Sequence, residues 1–183
     1  MLKDAGISFD ARAASIDEEA AKKELLIHGA SPLEIAIGLA AAKARSIKAD
    51  GGVLVLGSDQ VLEQEDGSIL NKAGSREEAA TQLRNLSGRS HKLHSAAALA
   101  EGGRVTWRAQ ETVTLHMQAL SEPSIEQYLS TEFDQVRYNV GVYRIEGPGV
   151  QLFDSIEGSH FAILGMPLLP LLGELRRRGI LAS

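Results

Sequence analysis

The chain has 183 residues, 44% hydrophobic and 23% charged, with a formal net charge of −5 and no cysteine. That length is enough for one domain with a real core. The composition excludes disulfides and thiolate metal sites, offers no apolar run long enough to span a bilayer, and shows no signal-peptide pattern or Lys/Arg block that reads as a nucleic-acid surface.

Taken in chain order, "MLKDAG" (1–6) reads as a last helical turn capped by Gly6, and "ISFDARAAS" (7–15) as an extended segment. Residues 31–49 form the clearest helix: Ser31 is the N-cap, Pro32 sits at the first helical position, and Glu34 completes a capping box. "VLVLGS" (53–58) has no polar alternation, so it predicts a strand buried on both faces. "EDGSILNK" (65–72) predicts a hairpin turning at Asp66-Gly67. Residues 75–88 predict a second helix with a capping box of Ser75 and Glu78 and a stop at Gly88. Residues 91–117 read as two long strands joined at Gly102-Gly103. "EPSIEQYLST" (122–131) is a short helix, and residues 141–158 read as two short strands around Gly147-Pro148-Gly149. "PLLPLLGELRRRG" (167–179) closes as a helix whose arginines complement the dipole of its last turn. These elements predict a single α/β domain over residues 1–183 with a mixed sheet flanked by helices. A cytoplasmic location is the default for such a chain.

Several charged residues stand where a core is expected. On a helical wheel Ala36, Leu39, Ala40 and Ile47 form the apolar stripe of residues 31–49, and Lys43 falls in its middle. It is either a lysine laid along a core edge or an ammonium aimed at an anionic ligand. Asp59 stands near the carboxyl end of the strand buried on both faces, where α/β sheets collect ligands; the alternative is a hydrogen-bonded Asp in a tight turn. Lys72 ends the hairpin and by itself reads as a solvated lysine. The acidic run Asp17-Glu18-Glu19 is either a solvated face or a set of oxygen ligands for Mg²⁺. His91 and His94, three apart on a strand, point to opposite faces and make a poor zinc site. "GPG" (147–149) lacks the strand-Gly-helix context of a phosphate loop.

The stretches "ASIDEE", "IGLAAAKA", "VLGSDQV", "ILNKAG", "LSGRSH", "GVYRIEGPG" and "HFAILGMPLLPLL", in this order along nearly the whole chain, resemble the Maf family of nucleotide pyrophosphatases, also called septum formation inhibitor homologues. The resemblance implies an α/β fold with an elongated, twisted mixed sheet. It implies hydrolysis of nucleoside triphosphates to the monophosphate and pyrophosphate, with Mg²⁺ or Mn²⁺, by a homodimer that needs neither nucleic acid nor a membrane. By position, Asp59 matches the catalytic carboxylate, and Glu18, Lys43 and Lys72 match the other charged pocket residues. Asp59 and Glu18 would share the metal, while Lys43 and Lys72 would offset phosphate charge. Two departures are visible. The family's first strand and Ser-x-Ser-x-x-Arg-Arg loop, which contacts phosphate, would precede Met1, so the domain is expected to lack both. Ala73 stands where the family has Pro, an exchange that loosens Lys72. Gln60 and Glu146 match base-discriminating positions. The pair resembles the branch acting on 7-methyl-GTP, and a carboxylate suits the N1–H and amine of a guanine edge. The alternatives are a dTTP/UTP pyrophosphatase, a weakly catalytic nucleotide-binding regulator of cell division, and, for Glu146 alone, a cap on the Gly-Pro-Gly turn.

Overall fold

The computed structural model describes residues 1–49 and 52–182. Its elements are α1 (Glu18–Ile27), α2 (Pro32–Ser46), β1 (Leu54–Gln64), β2 (Ile69–Leu70), α3 (Arg76–Leu86), β3 (Ser90–Glu101), β4 (Arg104–Met117), α4 (Glu122–Val136), β5 (Phe153–Glu157), α5 (His160–Ile163) and α6 (Leu168–Arg177). The five strands form one sheet in the order β2-β1-β3-β4-β5. The α/β class is as expected, but the sheet is antiparallel rather than mixed. Leu62 pairs with Leu70 across β1 and β2, and Leu115 pairs with Ile156 across β4 and β5, both antiparallel. The central strand β3 is buried along nearly its whole length, whereas the first part of β4 alternates between exposed and half-buried positions. This is the difference between a strand covered on both faces and one with a solvated face.

Local chemistry sets the ends of the helices. Ser31 and Glu34 make the predicted capping box, with Glu34 Oε2 accepting from Ser31 N at 2.8 Å. At α3, Ser75 Oγ accepts from Glu78 N at 3.1 Å, but Glu78 Oε2 accepts from Gly74 N instead of closing the box. The opening turn forms as expected, with Ile7 N donating to Leu2 O at 3.0 Å and Gly6 at φ +76°. The acidic run at 17–19 opens a helix that the patterning did not predict: Asp17 Oδ1 caps α1 through Ala20 N at 2.9 Å. Of the two short strands expected within 141–158, only β5 forms. Gly141 and Val142 adopt φ of +78° and +58°, and two consecutive left-handed residues cannot continue a strand. The segment turns as short 3₁₀ stretches at Val140–Val142 and Pro148–Leu152.

Two compact units divide the chain, and β1, β3 and β4 contribute residues to each. The first comprises Met1–Gln60, His94–Glu111 and Ser159–Ser183. Its core includes Leu99, Leu171 and Leu175, packed with Leu54, Leu56, Trp107 and Met166. The second comprises Val61–Leu93 and Thr112–Gly158. There α3 packs on α4 over Leu83, Leu86, Ile125 and Leu129, and Arg84 bridges to Glu122 through two hydrogen bonds of 2.8 and 2.9 Å. His91, Tyr143 and Phe153 form an aromatic cluster in the same unit, with the Tyr143 and Phe153 rings edge-to-face at 4.8 Å.

Candidate active site

Strand β1 explains its own polar residues. Side chains alternate along a strand, so Gly57 and Asp59 face one way, and Ser58 and Gln60 the other. On the first face β1 lies against α2. A Cβ at Gly57 would overlap Ala40 O and Ala44 N, so only glycine lets the two backbones approach this closely. That contact sets Asp59 beside Lys43, which projects from the next turn of α2. Asp59 Oδ1 accepts from Lys43 Nζ at 2.5 Å. Glu18 Oε1 reaches the same ammonium at 3.2 Å. Glu18 is held there by its place at the start of α1, which Asp17 caps and which packs on α2 with Leu25 against Gly38. The Lys43 and Asp59 side chains are 19% and 11% exposed, and Glu18 is 49% exposed, so the cluster opens to solvent on the glutamate side. Burial alone would lower the Lys43 pKa. The hydrogen bonds and negative charge of Asp59, and then of Glu18, outweigh that cost and raise it, so the ammonium stays charged. Lys43 is therefore not simply laid along a core edge: its ammonium pairs with two carboxylates of the chain itself.

The opposite face of β1 is equally specific. Ser58 Oγ is within 2.9 Å of Ala96 O and 2.7 Å of Gly165 O. Gln60 Nε2 donates toward Ser95 Oγ at 2.9 Å, Ala162 O at 2.8 Å and Ile163 O at 3.0 Å. Ser95, fully buried, itself donates to Ala162 O at 2.6 Å. The three acceptors fix the orientation of the amide and consume its donors. Gln60 therefore has only its carbonyl oxygen to offer a ligand. Sequence reasoning missed Ser58 and Ser95, which carry no motif of their own. Asp17, which places Glu18, was findable: an Asp followed by two glutamates is a helix-start pattern.

Lys72 and Glu146 belong to the second unit. Lys72 is exposed on a loop clamped at both sides by α3: Gln82 Nε2 donates to Asn71 O at 2.9 Å, and Gly74 N donates to Glu78 Oε2 at 2.7 Å. Ala73, at the family's proline position, is buried, so the loop is anchored without the ring. Glu146 is exposed next to the Gly147-Pro148-Gly149 turn. That turn is held from elsewhere. Val150 N bonds Gly147 O, Gly149 fits against the Arg144 backbone and the Tyr128 hydroxyl, and Arg144 Nε donates to the buried Glu132 at 3.1 Å. Among the described residues nothing hydrogen-bonds Glu146, so it does not cap the turn.

The fit of a divalent cation can be judged from the oxygens. Glu18 Oε1 and Asp59 Oδ1 converge on a single ammonium, so they can converge on a single cation. Among the described residues no group of three or more metal-ligating side chains occurs. Two carboxylates, with water and phosphate oxygens completing the shell, match the habit of Mg²⁺.

The family described as Maf-like protein matches residues 1–178, and the chain belongs to that family. Curated relatives agree along their lengths. The chain is 45% identical over 181 residues to a nucleoside triphosphate pyrophosphatase of Sphingopyxis alaskensis, covering 98% of this chain and 91% of that one. It is 46% identical over 184 residues to one from Nitrobacter hamburgensis, covering 100% and 89%. A 7-methyl-GTP pyrophosphatase of Rhizobium meliloti is 42% identical over 180 residues, covering 98% and 90%.

Proposed function

We propose that this protein is a hydrolase that cleaves nucleoside triphosphates to the monophosphate and pyrophosphate. The observation that carries the reading is the Glu18–Lys43–Asp59 cluster of the first unit, in a chain of this family. Asp59 takes the proton from the water that attacks the α-phosphorus. A bond forms from the water oxygen to that phosphorus, the bond to the bridging oxygen breaks, and its electron pair leaves with pyrophosphate. Lys43 supplies positive charge for the phosphate oxygens. Glu18 and Asp59 would hold Mg²⁺ or Mn²⁺, which when bound would polarise phosphate oxygens. The roles of Lys72 in phosphate binding and Glu146 in base recognition stand as proposals from the family resemblance.

The substrate we propose carries a guanine-type base, 7-methyl-GTP being the first candidate. This rests on the family resemblance of Gln60 and Glu146; the contacts of Gln60 do not carry it, because its amide faces away from Asp59 across β1 and donates to Ser95, Ala162 and Ile163. The relative from Rhizobium meliloti bears that substrate in its name. A homodimer and a part in septum formation are proposals that rest on the resemblance, and a cytoplasmic setting is one that rests on the composition. No helix among the described residues is long and apolar enough to cross a membrane. The test is hydrolysis in ¹⁸O-labelled water with GTP, 7-methyl-GTP, UTP and dTTP. The label must enter the nucleoside monophosphate, with unlabelled pyrophosphate released. Label in pyrophosphate, or a diphosphate and free phosphate as products, refutes the reaction.

A further inference from the structure

The resemblance gives Lys43 one partner, the phosphates of the substrate. The structure seats its ammonium instead between Asp59 Oδ1 and Glu18 Oε1, at 2.5 and 3.2 Å. These are the two carboxylates assigned above to the divalent cation, and the inference rests on that assignment. An ammonium at hydrogen-bond distance and a dication about 2.0–2.1 Å from the same oxygens cannot occupy one space. We propose that Lys43 is a resident counter-cation that closes the Glu18–Asp59 pair to divalent cations until the nucleotide arrives, so that metal enters together with the triphosphate.

Three observations support this. The pair is held by rigid elements and not by chance contact: Asp59 by the β1–α2 approach at Gly57, and Glu18 by the capped start of α1. The lysine stem has four rotatable carbons, so its head can swing while its root on α2 stays fixed. The cluster is exposed on the Glu18 side, which gives a polyanion a way to reach the ammonium. A triphosphate draws the ammonium to itself and brings oxygens that complete the shell of a cation between the carboxylates it vacates. Metal and nucleotide would then bind with positive coupling, each favouring the state the other needs.

The test uses the full chain without nucleotide and Mn²⁺ alone as the probe, with binding followed by electron paramagnetic resonance and calorimetry. Wild type is compared with Lys43→Met, and with Lys43→Gln as a second neutral variant should the first fail to fold; circular dichroism reports folding. Removing the ammonium should tighten Mn²⁺ binding at least tenfold over wild type. Equal affinities in wild type and either folded variant overturn the proposal while leaving the carboxylates as metal ligands. If neither wild type nor variants bind Mn²⁺ at millimolar concentration, the metal assignment itself fails and takes the inference with it.

Discussion

Replacing Asp59 with Asn separates chemistry from architecture. The Asp59 side chain is 11% exposed and its Oδ1 accepts from Lys43 at 2.5 Å. Asn has nearly the same shape and keeps an oxygen for that bond, but it carries no charge and cannot take a proton from water at neutral pH. Exchanging a charge-assisted hydrogen bond for one with a single charged partner should cost about 1–2 kcal/mol of stability. That is small beside the roughly 5–15 kcal/mol that holds a domain together, so the variant should fold. Loss of a general base costs about a hundredfold or more in rate, or at least about 2.7 kcal/mol of transition-state stabilisation. The expected pattern is therefore a collapse of kcat and a modest shift in a urea melt, with KM raised only as far as the lost metal ligand weakens nucleotide binding. The assay is pyrophosphate release across a substrate series, with nucleotide affinity measured separately. A kcat within about threefold of wild type would refute the role given to Asp59.

Other substitutions test the remaining parts. Gln60→Glu puts a carboxylate against two backbone carbonyls and a serine oxygen. It should destabilise the chain by about 3 kcal/mol or more, and an unchanged urea midpoint would show that the amide network contributes nothing. Glu146→Gln should shift the ratio of kcat/KM for 7-methyl-GTP against UTP by at least about tenfold, because a donor replaces one acceptor; an unmoved ratio would place base recognition elsewhere. His91 is buried beside Tyr143, its Nε2 2.7 Å from the phenol oxygen and its Nδ1 without a partner. Burial, then the charge of His116, pushes it down to about 4 from 6.5. A folded value below the unfolded one means stability that is full above about pH 6.5 and lost as the pH falls towards 4, worth about 3 kcal/mol in all. His91→Gln should flatten that acid slope in urea melts, and parallel profiles for the two proteins would show that another group sets it.

Local signals made much of the fold legible. Helices α2 and α3 were marked by caps within four residues of each other, and the turns at Gly6, Gly67 and Gly102-Gly103 by residues that reach positive φ. Lys43 and Asp59 stood out because charge interrupts an apolar pattern, and the structure pairs them. What escaped was decided at a distance. The partners of Gln60 are Ser95 and the carbonyls of Ala162 and Ile163, far along the chain, and a backbone carbonyl has no sequence identity to read. The strand expected from Gly141 failed for a tertiary reason: Gly141 is pressed against Leu62 and Tyr143, where a side chain would not fit.

The two-sided polarity of β1 settles a question that its apolar residues leave open. A run such as Val-Leu-Val-Leu reads almost the same when displaced by one position, since either face would receive a large aliphatic side chain. Hydrophobic burial alone would leave such a strand poorly registered. Displacing this one by a single residue would turn Asp59 towards the carbonyls that bind Gln60 and turn Gln60 towards Lys43. It would also lodge a side chain where Gly57 touches α2. Each of these mismatches is expensive, so the residues that dress the site also index the strand. A single-residue insertion or deletion between α2 and Gly57 should therefore be tolerated only if the segment before β1 absorbs it, leaving the phase of β1 unchanged.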